Sequence, residues 1–175
     1  MMDIVDIGVA ELERDAAAFG ELLHACVHAG ASISFVLPFS EAEAMAFWIS
    51  KVRPALLGGR LVLLAARTDE GRLAGAVQLD HDTPPNQPHR AEVRKLLVHP
   101  GFRRRGLART LMERIEDRAR DLGRTLITLD TRTGDFAEPL YRSIGYRAAG
   151  IIPGYCRDPL DPAKVDSTTI MYKLI

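Results

Sequence analysis

The sequence predicts a single domain, residues 1–175, of the mixed α/β (α+β) class, with seven strands and about four helices alternating along the chain. Hydrophobic residues make up 47% of the chain, which is enough for one well-developed core. Short aliphatic runs bounded by Gly, Pro, Asn and Asp predict strands. Longer segments between them repeat apolar residues every three or four positions, as helices do. No internal repeat or linker divides the chain.

The first half of the chain predicts a strand, two helices and a hairpin. Ser40 and Glu43 have the capping-box spacing at the start of the second helix, and Gly75 is a candidate bulge in the hairpin. The expected elements are a weak strand at 3–9, an amphipathic helix at 11–28, a short extended stretch at 33–37, a helix at 41–57, and strands at 60–67 and 73–81 around a turn at 68–71.

The second half predicts a buried central strand followed by a long helix. His99-Pro100-Gly101 ends the strand, because proline has no N–H for a sheet and Pro-Gly favours a turn. Apolar residues then recur at helical spacing from Leu107 to Leu122. The expected elements are strands at 92–98 and 125–130, a helix at 136–144 ended by Gly145, a strand at 146–152, a loop at 153–166 and a last strand at 167–174.

A basic turn containing glycine joins the central strand to the long helix. It carries three arginines and two small residues, Arg103, Arg104, Arg105, Gly106 and Ala108. N–H groups at a helix start lack intrahelical acceptors, and small residues let a bulky anion reach them. Arginine forks match phosphate oxygens. The turn therefore predicts a pyrophosphate site, and the alternative is a solvated basic helix start that binds nothing.

Three motifs in order resemble those of the GNAT superfamily of N-acetyltransferases. Arg103-x-x-Gly106-x-Ala108 matches the family's acetyl-CoA-binding motif. L-I-T-L-D-T at 126–131 resembles its next strand, and A-E-P-L-Y-R-S-I-G-Y at 137–146 resembles its following helix and strand. The resemblance covers about residues 61–175. It implies a mostly antiparallel sheet splayed between the fourth and fifth strands, acetyl-CoA as cofactor, and an acyltransferase of the EC 2.3.1 type.

The resemblance also implies which residues bind the coenzyme. In the family, the pantetheine arm enters the splay and pairs with exposed main-chain groups of the fourth strand. The expected cofactor-binding residues are Leu96, Leu97, Val98, Arg103, Arg104, Arg105, Gly106, Leu107, Ala108, Arg109, Thr131 and Ala137.

Attack of an amine on a thioester needs a base, oxyanion donors and a proton for the leaving thiolate. The family resemblance implies that Tyr141 protonates the thiolate; the alternative is a core aromatic residue. Glu92 is the first candidate base, and its alternative is an ion pair with Arg90 or Arg94. Asp130 is a second carboxylate, or a turn acceptor. Main-chain N–H groups near Leu97 or Val98 are the expected oxyanion donors.

A narrower resemblance is to the tabtoxin-resistance type of this superfamily, which acetylates a β-lactam-containing amino acid toxin. It rests on G-A-S-I-S-F at 30–35, E-V-R-K-L-L-V at 92–98 and P-G-Y-C at 153–156, the last in a predicted loop. Ala108 stands where glycine is common. The resemblance implies an acceptor pocket formed by residues 31–35, Phe47 or Trp48, and Tyr155, although core packing is expected for at least one of Phe47 and Trp48. The named substrate-binding residues are Ser32, Phe35, Trp48 and Tyr155.

The composition of the chain limits the classes of ligand and partner that the protein is expected to bind. Lys+Arg and Asp+Glu are both 23, so the chain lacks the basic excess of a nucleic-acid binder. Cys26 and Cys156 predict no disulfide framework, and His24 and His28 lack a third ligand, so no metal is expected. Without a signal peptide pattern or a run long enough to span a bilayer, a cytoplasmic protein is expected. The partner is a small-molecule amine, with no nucleic acid and no membrane, and the protein is a monomer or homodimer.

Two alternatives to a small-molecule N-acetyltransferase stay open at this point. A non-catalytic acyl-CoA sensor would use the basic turn alone. An open, acidic acceptor groove would favour the third candidate, a protein or peptide N-acetyltransferase.

Overall fold

A seven-stranded sheet, in the order β1-β2-β3-β4-β5-β7-β6, forms the centre of the computed structural model, which describes residues 2–175. Only β4 and β5 are parallel neighbours, and every other adjacent pair is antiparallel. The predicted mixed, mostly antiparallel sheet is therefore confirmed. The strands are β1 (Met2–Asp6), β2 (Leu61–Thr68), β3 (Leu73–Asp80), β4 (Arg90–Val98), β5 (Leu126–Arg132), β6 (Arg147–Arg157) and β7 (Val165–Leu174).

The helices are α1 (Val9–Arg14), α2 (Ala16–His28), α3 (Glu41–Phe47), α4 (Arg53–Leu57), α5 (Leu107–Asp121) and α6 (Ala137–Ser143). A π-helical turn, Trp48–Val52, joins α3 to α4 into the one helix predicted there. The predicted helix at 11–28 is instead two, because Asp15 leaves the helix and binds Arg14 and Arg67. Of the helices within residues 2–175, none is long and apolar enough to cross a membrane.

The capping box at the start of α3 is confirmed. Ser40 Oγ accepts a hydrogen bond from the Glu43 N–H at 3.2 Å, and Glu43 Oε2 accepts one from the Ser40 N–H at 2.8 Å. Two donors that the helix leaves unpaired are satisfied in this way. The cap also fixes where the loop at residues 29–40 ends.

The sheet has a hydrophobic core on each face. Strand β2 contributes side chains to both cores. Leu64 and Ala66 pack with α5, while Leu63 and Ala65 pack with α2 and α3. This alternation is the two-residue period of a strand buried on both sides. The helix side chains that fill the α5 core include Leu111, Met112 and Ile115, and those that fill the opposite core include Phe19, Leu23 and Trp48.

Strand β4 contains a bulge that reverses its alternation. Gln78 pairs with Arg94 and Ala76 pairs with Leu97, so two residues of β4 oppose the single residue Val77. The consequence is visible in packing, because Val93 belongs to the α5 core and Leu97 to the opposite core. The extra residue therefore turns the second half of β4 over.

Strands β4 and β5 are splayed. They pair only at Arg90–Leu126, Ala91–Ile127 and Glu92–Thr128, and then diverge. The remainder of β4 has no strand neighbour on that side, which leaves main-chain groups for another partner. The predicted splay between the fourth and fifth strands is thus present.

Two predicted segments differ from the structure. Strand β6 continues to Arg157, so P-G-Y-C lies within a strand and not in the predicted loop. Residues 153–155 form an irregularity between the pairs Ile152–Thr168 and Cys156–Asp166, which is how a proline is accommodated in an edge strand. The stretch at 33–37 is a loop, with Ser34 at φ 82°, and its alternating apolar residues pack on the core without joining the sheet.

Candidate active site

The larger of two clefts at the splay has a volume of about 690 Å³ and is named the β4–α5 cleft. One wall is the unpaired end of β4, the mouth is the turn before α5, and α6 closes the far side. Ten of the expected cofactor-binding residues line it: Leu96, Leu97, Val98, Arg103, Arg104, Gly106, Leu107, Ala108, Arg109 and Ala137.

The side chains of the other two expected cofactor residues line other cavities. The Arg105 guanidinium stacks 5.5 Å from the Phe102 ring centroid and lines a separate depression beside β1. Thr131 follows the splay on β5 and lines the second cleft. These two side chains therefore do not line the β4–α5 cleft, although the backbone of Arg105 belongs to the turn at its mouth.

The turn before α5 offers a row of free backbone donors. Arg104 and Gly106 have φ of 61° and 79°, so consecutive N–H groups turn towards one side. Within residues 2–175, the N–H groups of Arg104, Arg105 and Gly106 have no hydrogen-bond acceptor, and those of the first turn of α5 follow directly. Nothing lies within 4 Å of where a Cβ on Gly106 would be. This donor set fits a diphosphate group, and with it acetyl-CoA.

Tyr141 lies where the two clefts meet. It is 6% exposed on α6 and lines both cavities. Burial, with the nearby charges of Asp130 and Asp135, raises the pKa of its phenol well above the ordinary value. Its hydroxyl has no hydrogen-bond partner in the described part of the chain, so it is available to a bound molecule. The hydroxyl is therefore protonated at neutral pH and able to donate.

Glu92 forms the ion pair that the sequence offered as its alternative role. Arg94 donates Nε and Nη2 to the two oxygens of Glu92, at 3.0 and 3.1 Å. The same guanidinium contacts Asp80 at 2.6 Å. Glu92 lines the second cleft, but its carboxylate is already engaged in a bidentate pair.

Asp130 is the less engaged carboxylate. It lies on β5 beyond the splay, is exposed, and accepts one hydrogen bond, from Thr168 Oγ1 at 3.1 Å. Thr168 Oγ1 also lies 3.0 Å from the Thr131 carbonyl, so its single proton is shared. No cation among residues 2–175 forms an ion pair with Asp130. No protein cation therefore competes for this carboxylate, which can contact a group bound in the cleft that it lines.

The second cleft, of about 490 Å³, is named the β4–β6 cleft. It is bounded by residues 92–96 of β4, 130–132 of β5, 155–157 of β6, and the loop at 31–36. Three of the four expected substrate-binding residues, Ser32, Phe35 and Tyr155, line it. Tyr155, on the exposed edge strand β6, is 52% exposed, and Ser32 Oγ lies 3.6 Å from Cys156 Sγ.

Trp48, the fourth expected substrate residue, lies in the core and not in a cleft. Its side chain is 0% exposed and its ring packs 4.9 Å from Phe19, between centroids. The reason is helical periodicity, because Ala44, Trp48 and Val52 form one buried stripe. Phe47 packs edge-on against Phe35, behind the cleft wall.

Lys95 lines the β4–β6 cleft although the sequence did not single it out. A lysine in a strand is expected to point into solvent, and only the bulge of β4 brings this one to the cleft. Bulges form between two strands and leave no reliable signal in the sequence of one of them.

No group of three or more His, Cys, Asp or Glu in the described residues is arranged to hold a metal.

Comparisons with known proteins agree with this geometry. The model of the acetyltransferase (GNAT) family matches residues 22–146, more than half of the chain. A GCN5-related N-acetyltransferase from Kribbella flavida superposes with a TM-score of 0.78 at 20% identity, over 99% of this chain and 98% of that one. YncA from Salmonella typhimurium, solved with its cofactor acetyl-CoA, gives 0.76 at 21% identity, over 99% and 94%. The ribosomal-protein-S18-alanine N-acetyltransferase from Escherichia coli gives 0.72 at 22% identity, over 100% and 94%.

The structural similarities, all at low identity, support the fold alone, whereas the match to the family model supports membership of the family. It spans β2 to β5, the basic turn and Tyr141, which are the parts that form the β4–α5 cleft. The donors in that cleft also fit the coenzyme. The chain therefore belongs to the acetyltransferase (GNAT) family and is an N-acetyltransferase, of the EC 2.3.1 type, that uses acetyl-CoA.

Proposed function

We propose that the protein transfers the acetyl group of acetyl-CoA to the primary amine of a small, amino-acid-like molecule, by direct attack in a ternary complex. The observation that carries this proposal is the position of Tyr141, which lines both clefts. A donor held in the β4–α5 cleft and an acceptor held in the β4–β6 cleft would meet at this one side chain. Holding both reactants together supplies much of the rate enhancement.

Residues 103–109 bind the diphosphate, and residues 96–98 with Ala137 line the channel for the pantetheine arm. Acetyl-CoA, when bound, supplies a thioester whose carbonyl carbon is the electrophile. The N–H of Leu97 or Val98 donates to the oxyanion that forms on attack. Tyr141 Oη hydrogen-bonds the sulfur as negative charge develops there, and gives up its proton as the C–S bond breaks.

The proton of the attacking amine goes to a carboxylate, through water. Glu92 is the first candidate from the sequence, but both of its oxygens already accept hydrogen bonds from Arg94. Asp130 has no such pair and lines the same cleft. We therefore assign the base to Asp130, and to Glu92 the task of holding Arg94.

The acceptor is proposed to be an amino-acid-like toxin or antibiotic, as in the tabtoxin-resistance type. Two of the segments that carry this narrower resemblance, G-A-S-I-S-F and P-G-Y-C, both contribute to the β4–β6 cleft. They are distant in sequence and contact each other through Ser32 and Cys156. Their convergence on one cleft of about 490 Å³ supports a small acceptor.

The two other candidate functions have less support. The Escherichia coli relative acts, by its name, on a protein alanine, and such an acceptor favours an open acidic groove. The β4–β6 cleft instead mixes both signs of charge, with Arg94, Lys95, Arg132 and Arg157 beside Glu92, Asp130 and Asp135. A non-catalytic sensor of acyl-CoA would need only the basic turn, and it would not account for the presence of Tyr141 and Asp130 in the clefts.

The proposal is tested by free-thiol release from acetyl-CoA against small amines, amino acids and short peptides. Tyr141→Phe is assayed alongside Tyr172→Phe, a matched loss of one hydroxyl on β7, outside both clefts. We expect release with amino-acid-like amines, reduced about 100-fold to 1,000-fold in Tyr141→Phe and unchanged in Tyr172→Phe. Release only with peptides would favour the protein acceptor, and binding of acetyl-CoA without any release would favour the sensor.

Two further proposals concern where the protein acts and how many copies assemble. The protein is proposed to act in the cytoplasm, which cell fractionation would test. It is proposed to be a monomer or a homodimer, which sedimentation velocity would distinguish.

A further inference from the structure

One partly buried cation in the β4–β6 cleft, Lys95, forms no ion pair among residues 2–175. Arg94 is paired with Glu92 and Asp80, and Arg132 with Asp135, Asp158 and Asp166. Arg157 is exposed to solvent. Lys95 is only partly exposed, and no carboxylate of residues 2–175 lies within ion-pair distance of its ammonium. A partly buried cation without an anion is unfavourable, and it becomes favourable once an anion enters the cleft.

The bulge of β4 places this ammonium. Lys95 is in the bulge, with φ 49°, opposite Val77 together with Leu96. Its Nζ donates to Ser34 Oγ at 2.9 Å, and Ser34 is itself at φ 82°. Two non-glycine residues in the left-handed region thus meet at a single hydrogen bond. Such backbone conformations cost about 1–3 kcal/mol each and concentrate at functional sites.

The surroundings leave the ammonium open on one side. The Phe35 and Phe47 ring centroids lie 5.6 and 5.7 Å from Nζ, so aromatic faces hold the cation in position. An ammonium has three N–H donors, and Ser34 accepts one of them. Burial first, and the charge of Arg94 second, lower the pKa of Lys95 to about 8. Near neutral pH the group is therefore mostly charged, with donors to spare.

We propose that Lys95 Nζ, oriented by Ser34, binds the carboxylate of the acceptor. This inference rests on the proposed function and deepens it, because it states that the acceptor carries an anion as well as an amine. Asp130, across the same cleft and without an ion pair, suits the acceptor's ammonium group. The cleft thus offers one unpaired charge of each sign, which is the pattern that a zwitterionic amino acid complements.

The test compares an amino acid acceptor with its carboxamide. Lys95→Met keeps an apolar stem over the aromatic rings and removes the charge, and Lys95→Arg keeps the charge. We expect Lys95→Met to raise KM for the amino acid by roughly 10-fold to 100-fold, and KM for the carboxamide by less than about threefold. Lys95→Arg should recover part of the difference. Lys51→Met, an exposed lysine remote from both clefts, is the control for loss of a lysine.

A second measurement does not depend on turnover. Acylation of Lys95 by a lysine-specific reagent is followed by mass spectrometry while propionate or propionamide is added. Protection by propionate alone supports the anion site, even if no amine in the panel is acetylated and the proposed function fails. Absence of protection by either, or equal KM changes for the amino acid and its carboxamide, overturns the role of Lys95 and leaves the proposed function intact.

Discussion

For each single residue with an acid or base role, the deciding property is whether its side chain already forms hydrogen bonds or ion pairs with other protein groups. Glu92 shares both oxygens with Arg94, whereas Asp130 shares one oxygen with a threonine. The Tyr141 hydroxyl has no hydrogen-bond partner among residues 2–175, and its raised pKa keeps its proton in place. The sequence placed all three in one site, but the hydrogen bonds distinguish their roles.

Replacing the two carboxylates separately tests this assignment. We expect Asp130→Asn to lower kcat about 100-fold to 10,000-fold, the usual contribution of a general base. Glu92→Gln should lower kcat by only about 10-fold, through a less well held Arg94. Steady-state kinetics with acetyl-CoA at saturation measure both. A larger loss in Glu92→Gln than in Asp130→Asn would reverse the assignment.

The pKa of Lys95 predicts a pH dependence of acceptor binding. Its ordinary value of 10.5 is lowered to about 8, so the ammonium is charged below pH 8 and loses its proton above. Arg94 lowers this pKa, and Asp130 and Glu92 raise it; Arg132, Asp135, Tyr155 and Arg157 line the same cleft from β5, the loop after it and β6. The ratio of amino acid KM in Lys95→Met to that in the wild type should therefore fall towards one between pH 7 and pH 9. A ratio independent of pH would contradict the lowered pKa.

Trp48 and Lys95 are two side chains whose positions could not be predicted from the sequence. The sequence resemblance implies a place for Trp48 in the acceptor pocket, yet its position four residues after Ala44 and four before Val52 puts it on the buried face of a helix. Lys95 was not assigned at all. Its place depends on pairing with β3, which is a contact between distant parts of the chain.

At the scale of elements, β4 and α5 were predictable because their signals are local. Aliphatic residues, His99-Pro100-Gly101 and then a helical repeat define a strand, a turn and a helix without reference to the rest of the chain. Strand β6 was not predictable in full. Pro153 and Gly154 predict a loop, but pairing of Cys156 with Asp166 on β7 continues the strand beyond them. Tertiary pairing here outweighs local propensity.

Gly106 offers a test of the basic turn that has a matched control on the same helix. Gly106 at the start of α5 and Gly123 after its end have φ of 79° and 68°, with no atom near a Cβ at either. Alanine at either position should cost about 1–2 kcal/mol, or several degrees in Tm. Only Gly106→Ala should raise KM for acetyl-CoA, because its methyl group would stand between the diphosphate and the backbone donors. Equal KM values in both variants would place the diphosphate elsewhere.

At the scale of the whole molecule, the splay of β4 from β5 creates both clefts and joins them. The two strands share only three residue pairs, and β7 completes the sheet on the other side of β5. Cores on both faces hold the diverging strands in place. The three motifs in sequence predicted that this splay exists. The shape of the β4–β6 cleft could not be predicted from the sequence, since the cleft is formed by a loop, a bulge and an irregular edge strand.

Bisubstrate kinetics distinguish direct transfer in a ternary complex from transfer through an acetylated protein. Initial rates of thiol release are measured while acetyl-CoA and an amino acid acceptor are varied together. Because the clefts meet at Tyr141, we predict double-reciprocal plots that intersect. Parallel plots, with an acetyl group recovered on Cys156, the thiol that lines the β4–β6 cleft, would show that the acetyl group first passes to the protein and would contradict direct transfer.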